Sequence, residues 1–299
     1  MNRVSVIILN WNRKKDVSET LLRIRKQTVK PFETIVVDNA STDGSIPYIK
    51  KHFPEVKIVA LPKNYALEGM NYGMKAGRGD YFIHLASDAI PANDLIQKHM
   101  EKFKNNPSLG MSCPVTYELK TKKFQGPNRS IEGDNTKGYE VTYFDGNGIC
   151  LKREVYKKTD GYSKDYFICL EELEWAVRIL KAGFEIKCFT DIKVYNSKAE
   201  NGSQRKHYGF YYSRNWIWFY VKYLPIKEII NFILLHSHSF SVKTGKNGSM
   251  WKGDSIKGIV MGLLGTPKFI LNRQVLPQKI INRLKLDLFQ NSKHLYVKS

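Results

Sequence analysis

Acids at three places in this chain could do chemistry: Asp38, Asp88 and the cluster Glu171, Glu172 and Glu174. Asp38 ends the apolar β-branched run Ile35-Val36-Val37 and opens N-A-S-T-D-G-S, a loop of turn and cap residues. Asp88 follows a second such run, Tyr81–Leu85, through Ala86-Ser87. In open α/β sheets ligands bind at the carboxyl ends of the strands, so two strand-tip aspartates should face one edge. A plain strand ending in an Asx-type turn fits the first stretch as well. A carboxylate at such a tip suits Mg²⁺ or Mn²⁺ held against the oxygens of a diphosphate, since these cations take hard oxygen ligands and keep waters. A second, accessible carboxylate can take the proton of an attacking hydroxyl. Glu172 sits between Glu171 and Glu174 at the head of a helical pattern. Helix-dipole complementarity accounts for Glu171 and Glu174, the latter also pairing Arg178 at i,i+4. Glu172 stays open on residue physics alone, because a helix N-terminus lowers a carboxylate's basicity.

The elements that must position these groups alternate. Val4–Leu9 is a continuous apolar strand ending at Asn10-Trp11-Asn12, and Val17, Leu21 and Ile24 recur at helical spacing. Thr34–Asp38 is the second strand, Ile46–His52 a short helix and Lys57–Leu61 the third strand. Asn64–Gly77 reads as helical with three glycines, and Tyr81–Leu85 is the fourth strand. This β-α-β-α-β-α-β order predicts a Rossmann-like parallel sheet. Ala92–Lys104 reads as a helix, Met111–Leu119 as β-like and Gly126–Gly138 as a loop near the site. Tyr143–Leu151 reads as a strand broken at Gly146 and Gly148. Glu171–Ala182 is a helix with Leu173, Ala176, Val177 and Leu180 on one stripe, closed by Gly183. Phe184–Tyr195 is strand-like. Helical patterns at Tyr208–Tyr223, Ile226–Leu235 and Ile256–Leu264 follow, the last after the polar stretch Ser241–Gly253.

Composition narrows the class. With 299 residues, 42% hydrophobic and 25% charged, the chain is a folded protein of one large domain, alone or with an extension. The net charge is +20, and residues 201–299 hold sixteen Lys or Arg against three acids. Such a region favours nucleic acid, an anionic membrane surface or phosphorylated ligands, or is simply a solvated basic face. No nucleic-acid motif supports the first. The four cysteines are widely spaced, so zinc and disulfide frameworks are not indicated and a reducing compartment is expected. The first ten residues lack a signal-peptide pattern, and no apolar run approaches the ~20 residues of a spanning helix. There is no P-loop and no G-x-G-x-x-G after the first strand. His236 and His238 lack a third ligand nearby and read as surface residues.

Taken in order, the motifs resemble family 2 glycosyltransferases of the GT-A fold, close to their rhamnosyltransferase-like branch. V-S-V-I-I-L-N-W-N (Val4–Asn12), I-V-V-D-N-A-S-T-D-G-S (Ile35–Ser45), Asn64 with L-E-G-M-N-Y-G (Leu67–Gly73) and G-D-Y-F-I-H-L-A-S-D (Gly79–Asp88) carry the resemblance in the first half. G-I-C-L-K-R-E (Gly148–Glu154), G-Y-S-K-D-Y-F (Gly161–Phe167), E-E-L-E-W-A-V-R-I-L-K-A-G (Glu171–Gly183) and S-R-N (Ser213–Asn215) carry it in the second. It implies a mixed, mainly parallel GT-A sheet flanked by helices, with a catalytic domain over residues 1–203 and a basic helical region over 204–299. It implies a nucleotide-diphosphate sugar facing Asn10, Asn12, Asp38, Asn39 and Asn64, with Asp88 holding Mg²⁺ or Mn²⁺ on the diphosphate. Glu172 matches the general base, and Gly148, Glu171 and Arg178 the acceptor side. The reaction implied is inverting transfer to a hydroxyl of a glycan or lipid-linked glycan. The protein would be cytoplasmic, with peripheral contact to the inner face of the cell membrane, where the basic region meets anionic lipid. Three departures stand out: one Asp in Ala86-Ser87-Asp88, Glu rather than Asp at the base position, and Asn196 where a His is common. The first and third keep a rival open, a non-catalytic GT-A-like module that binds a glycan or nucleotide sugar.

Overall fold

The computed structural model describes residues 3–124, 137–196, 207–233 and 249–290. Strands β1 (Val4–Asn10), β2 (Glu33–Asp38), β3 (Lys57–Ala60) and β4 (Tyr81–Ala86) lie parallel in the order β3-β2-β1-β4. Helices α1 (Lys14–Arg25), α2 (Ser45–His52) and α3 (Gly69–Ala76) connect them. The central strands β1, β2 and β4 are mostly apolar because both sheet faces are covered there, while β3 lies at the edge and is partly exposed. Ile7, Ile35 and Val37 enter the core on one face, and Val6, Ile8 and Val36 the core on the other. The register sets Asn10 beside Asp38 and Leu9 beside Ala86, so the three strands end at a common edge.

The chain continues through β5 (Ala89–Pro91), α4 (Leu95–Asn105), β6 (Leu109–Glu118), β7 (Tyr139–Glu140), β8 (Cys150–Lys152), α5 (Arg153–Thr159), α6 (Glu171–Lys181) and β9 (Glu185–Asn196). These strands extend the sheet as β4-β8-β6-β9-β5, with β7 on β9. β8 runs antiparallel to both neighbours, and β9 parallel to β6. The result is the mixed, mainly parallel sheet that was expected.

Several boundaries differ from the sequence reading. Tyr143–Leu151 is mostly loop, with only Cys150–Lys152 paired. Asp145 accepts the Asn147 N–H in a tight turn, and Gly148 adopts φ 80°, so the chain cannot stay extended. The Asn64–Gly77 helix begins only at Gly69 after a 3-10 turn at Ala66–Glu68, because the Asn64 side chain accepts the Ala66 N–H. Helix α4 starts at Leu95 rather than Ala92. Residues 126–136 of the expected loop, and 241–248 of the polar stretch, lie outside the described residues. All four cysteines are buried and free.

Helices α7 (Tyr208–Tyr223), α8 (226–233), α9 (Ser249–Leu271) and α10 (Gln278–Lys285) complete the described chain. The Ile256–Leu264 pattern is the middle of the much longer α9. Trp216, Phe219 and Tyr223 of α7 pack with Ile281 and Leu284 of α10 against Leu173 and Val177 of α6. No helix among the described residues is long and apolar enough to cross a membrane.

Candidate active site

The carboxyl edge is built from four segments. At the end of β1, Asn10 is fully buried and donates from Nδ2 to Asp38 at 2.8 Å and to Ser41 at 3.2 Å. Asp38 is equally buried, and its other oxygen accepts the Ser41 N–H at 2.8 Å. These two residues brace the loop after β2. Asn12, in left-handed backbone, is exposed and accepts the Thr42 N–H at 2.7 Å. Asn39 is buried; it donates to the Ala66 carbonyl, which ties the loop to the segment containing Asn64. Gly69 lets α3 come that close, since a Cβ there would stand 2.9 Å from Asn39.

Asp88, just past β4, pairs with Arg13 at 3.1 Å, and Arg13 also reaches Asp16 at 3.3 Å. Burial pushes the Asp88 carboxyl above its ordinary value, while Arg13 opposes that shift. The loop after β7 carries Asp145, whose carboxyl burial also raises, with Asp88 adding a like charge. The same loop brings Asn147, which accepts the Ala86 N–H and donates to Asn196 at the end of β9. From beneath, His99 of α4 bridges Ser112 and the Gly148 carbonyl, each at 2.9 Å. Gly148 is packed inside: a Cβ there would run into Val194 and stand 3.0 Å from Pro114. It therefore shapes the loop and offers the cleft no surface.

The fourth segment is the head of α6. Glu172 lies over Gly146, with Oε1 3.3 Å from where a Cβ would be. Burial, then the charges of Glu171 and Asp145, raise the Glu172 carboxyl well above the usual carboxylate range. Glu171 is buried with Oε2 lacking a hydrogen-bond partner, and burial pushes it up to about 7. Arg178 points the other way. It pairs with the fully buried Glu174 at 2.7 Å and donates to the Thr159 and Gly161 carbonyls. Lys222 and Tyr223 of α7 share that carboxylate. Burial alone would raise Glu174, but Arg178 and its other partners hold it below its ordinary value. Arg178 is thus a clamp under the helix.

Asp145 lies within electrostatic reach of both Asp88 and Glu172, and Asp38 sits in the buried brace at the end of β2. Asp145 and Arg13 were not singled out from sequence. An acid directly before G-N-G was the available signal for the first, and an arginine directly after the strand-tip asparagines for the second. A metal fits the donor chemistry. Asp88, Asp145 and the amide oxygens of Asn147 and Asn196 are hard donors, and Asp88 already faces a cation in Arg13. Among the described residues no group of three or more His, Cys, Asp or Glu could enclose a metal. An ion would rest on Asp88 and complete its shell from a bound diphosphate and water.

The sequence model of glycosyl transferase family 2 matches residues 5–160. An uncharacterized glycosyltransferase of Haemophilus influenzae is 24% identical over 183 residues, covering 60% of this chain and 62% of that protein. The chain therefore aligns with less than two thirds of that relative's length. The dolichyl N-acetyl-α-D-glucosaminyl phosphate 3-β-D-2,3-diacetamido-2,3-dideoxy-β-D-glucuronosyltransferase of Methanococcus voltae is 24% identical over 228 residues, 69% of this chain and 70% of that one. Among solved structures, the mannosyltransferase PcManGT of Pyrobaculum calidifontis, in complex with GDP-Man and Mn²⁺, aligns over 100% of this chain and 76% of its own. The TM-score is 0.57 at 16% identity, a likeness of GT-A fold.

Proposed function

The chain belongs to glycosyl transferase family 2, and on this ground we propose that it moves a sugar, with inversion, from a nucleotide-diphosphate sugar to a hydroxyl of a glycan or lipid-linked acceptor. The observation that carries the reading is Asp145, on the loop after β7, whose charge reaches both Asp88 and Glu172 and so sets the three carboxylates near one another at the sheet edge. The nucleoside side is formed by Asn12 and the loop braced by Asn10, Asp38 and Asn39. Mg²⁺ or Mn²⁺ on Asp88 would neutralise charge on the departing diphosphate; PcManGT, solved with Mn²⁺, supports this part. Arg13, released from Asp88, is placed to turn to the same phosphates. Glu172 takes the proton of the acceptor hydroxyl as that oxygen bonds to the anomeric carbon and the bond to the diphosphate breaks. Asp145 keeps Glu172 basic by opposing its anion, which offsets the helix-end effect that lowers basicity.

Residues 1–203 form the nucleotide-sugar side of this reading and residues 204–299 the acceptor or membrane-surface side. A lipid-linked acceptor would be met at the cytoplasmic face of a membrane, by peripheral contact. A thermal-shift series with UDP, dTDP, GDP and CMP, with and without Mn²⁺, tests donor binding. One nucleotide should stabilise the fold, by ~2.7 kcal/mol at a hundred times its Kd. Absence of stabilisation by all four would remove the nucleotide-sugar assignment.

A further inference from the structure

Helix α9 is built inside out. Three of its inward positions are glycines, Gly258, Gly262 and Gly265, which lie against α7, with Phe269 stacked on Trp218 at the end of the row. A Cβ at Gly262 or Gly265 would stand 2.7 Å from Ile217 or Trp218, and one at Gly258 would meet the Phe210 carbonyl. The large apolar side chains point away from the protein. Ile256 is 62% exposed, Leu263 61%, Leu264 69% and Leu271 85%, with Ile259 and Val260 also exposed. At 3.6 residues per turn these positions share one face, and Lys257 and Lys268 fall along its edge. A helix facing water normally shows the opposite arrangement. Small residues between helices and large apolar ones outward is the pattern of helices bathed in lipid. Yet α9 is not apolar enough to cross a membrane, and an interfacial position is the remaining one.

We infer that this face of α9 seats the protein on a bilayer surface bearing anionic headgroups, which rests on the membrane-surface part of the function proposed above and names the surface. Charge selects the occupant. The three acids after residue 200 each have a partner: Glu228 pairs with Lys285 and Asp254 with His207 near the surface, and the buried Asp287 accepts from Thr142. Among the described residues of the region, Lys227, Lys257 and Lys279 stand exposed, and no acid does. A second copy would bring two such basic surfaces together, whereas anionic lipid answers them. The seat is also tied to the cleft, since Lys268 of α9 pairs with Asp165 in the loop before α6.

The test is co-sedimentation of the full chain with phosphatidylcholine vesicles, with and without phosphatidylglycerol. The expected result is at least ten-fold stronger partition into the anionic vesicles, falling in high salt. The double variant Leu263→Glu/Leu264→Glu should lose at least ten-fold, with an unchanged melting temperature because both side chains are exposed. Glu172→Gln should bind vesicles like the wild type, so failure of the catalytic reading and failure of this one are separable. No binding to either vesicle, equal binding to both, or unchanged binding by the folded double variant would overturn the inference. So would light scattering showing a dimer that the double variant dissolves.

Discussion

The carboxyl of Glu172 holds its proton more tightly than a solvated glutamate, because burial first and then Glu171 and Asp145 penalise the anion. If Glu172 is the base, the transfer rate must rise with pH as this group ionises, on a limb displaced upward from the ordinary carboxylate range. Asp145→Asn removes one of the opposing charges, so the limb should move to lower pH; a pH-rate series on the two proteins checks it. Stability follows the same linkage. The folded state keeps the Glu172 proton at pH values where the unfolded chain has lost it, so stability falls as pH rises above the unfolded value of about 4.3. Glu172→Gln abolishes that loss. Its melting temperature at neutral pH should exceed that of the wild type. Its turnover should fall by ~10²–10⁴-fold. Asp38 and Asp88 stood out in sequence because a strand tip marks each, whereas Glu172 lay among three acids at a helix head and was picked out by the family resemblance. Asp145 and Arg13 were not, because their places depend on segments far apart in the chain meeting at the sheet edge.

At the scale of elements, the head of α6 is held under strain. Cys169 and Leu170 both adopt positive φ, 69° and 66°, immediately before Glu171. Non-glycine residues held there are unfavourable by of order 1–3 kcal/mol each unless their surroundings fix them. Asn215 of α7 does so: its buried side chain donates to the Ile168 and Cys169 carbonyls at 2.8 and 2.7 Å. Arg214 adds a bond to the Asp165 carbonyl at 3.1 Å. Asn215→Ala should let α6 shift and lower kcat by ~10²-fold, as a displacement near 1 Å does, with the donor KM little changed. Steady-state kinetics at varied donor distinguish this from a uniform loss of folded protein. Gly148→Ala should be destabilising by about 3 kcal/mol or more, since the turn needs positive φ and Val194 fills the space; chemical denaturation measures it. The parallel half of the sheet was readable because doubly buried strands are continuous apolar runs. The second half was not. β5 and β8 are only three residues each, too short for a period, and gain their identity from β9 and β4.

Across the whole molecule, the two halves are coupled through one helix. The core face of α7 packs on α6, its Asn215 fixes the approach to Glu171 and Glu172, and its opposite side carries α9. Composition showed the basic C-terminal region, and the aromatic pattern of α7 set its helical bounds. The inverted face of α9 was hidden in the sequence because glycines and large apolar residues alternate there without a polar stripe to mark an outside. The convergence of distant carboxylates on one reactive cleft is tested most directly by single-turnover release of nucleotide from the donor whose base gives the largest thermal shift. Wild type, Asp88→Asn and Glu172→Gln are compared, with nucleotide binding measured on each. Glu172→Gln should bind as wild type does and release nucleotide at least ~10²-fold more slowly, while Asp88→Asn should lose the Mn²⁺-dependent part of binding. Wild-type turnover in both variants would contradict the assignment.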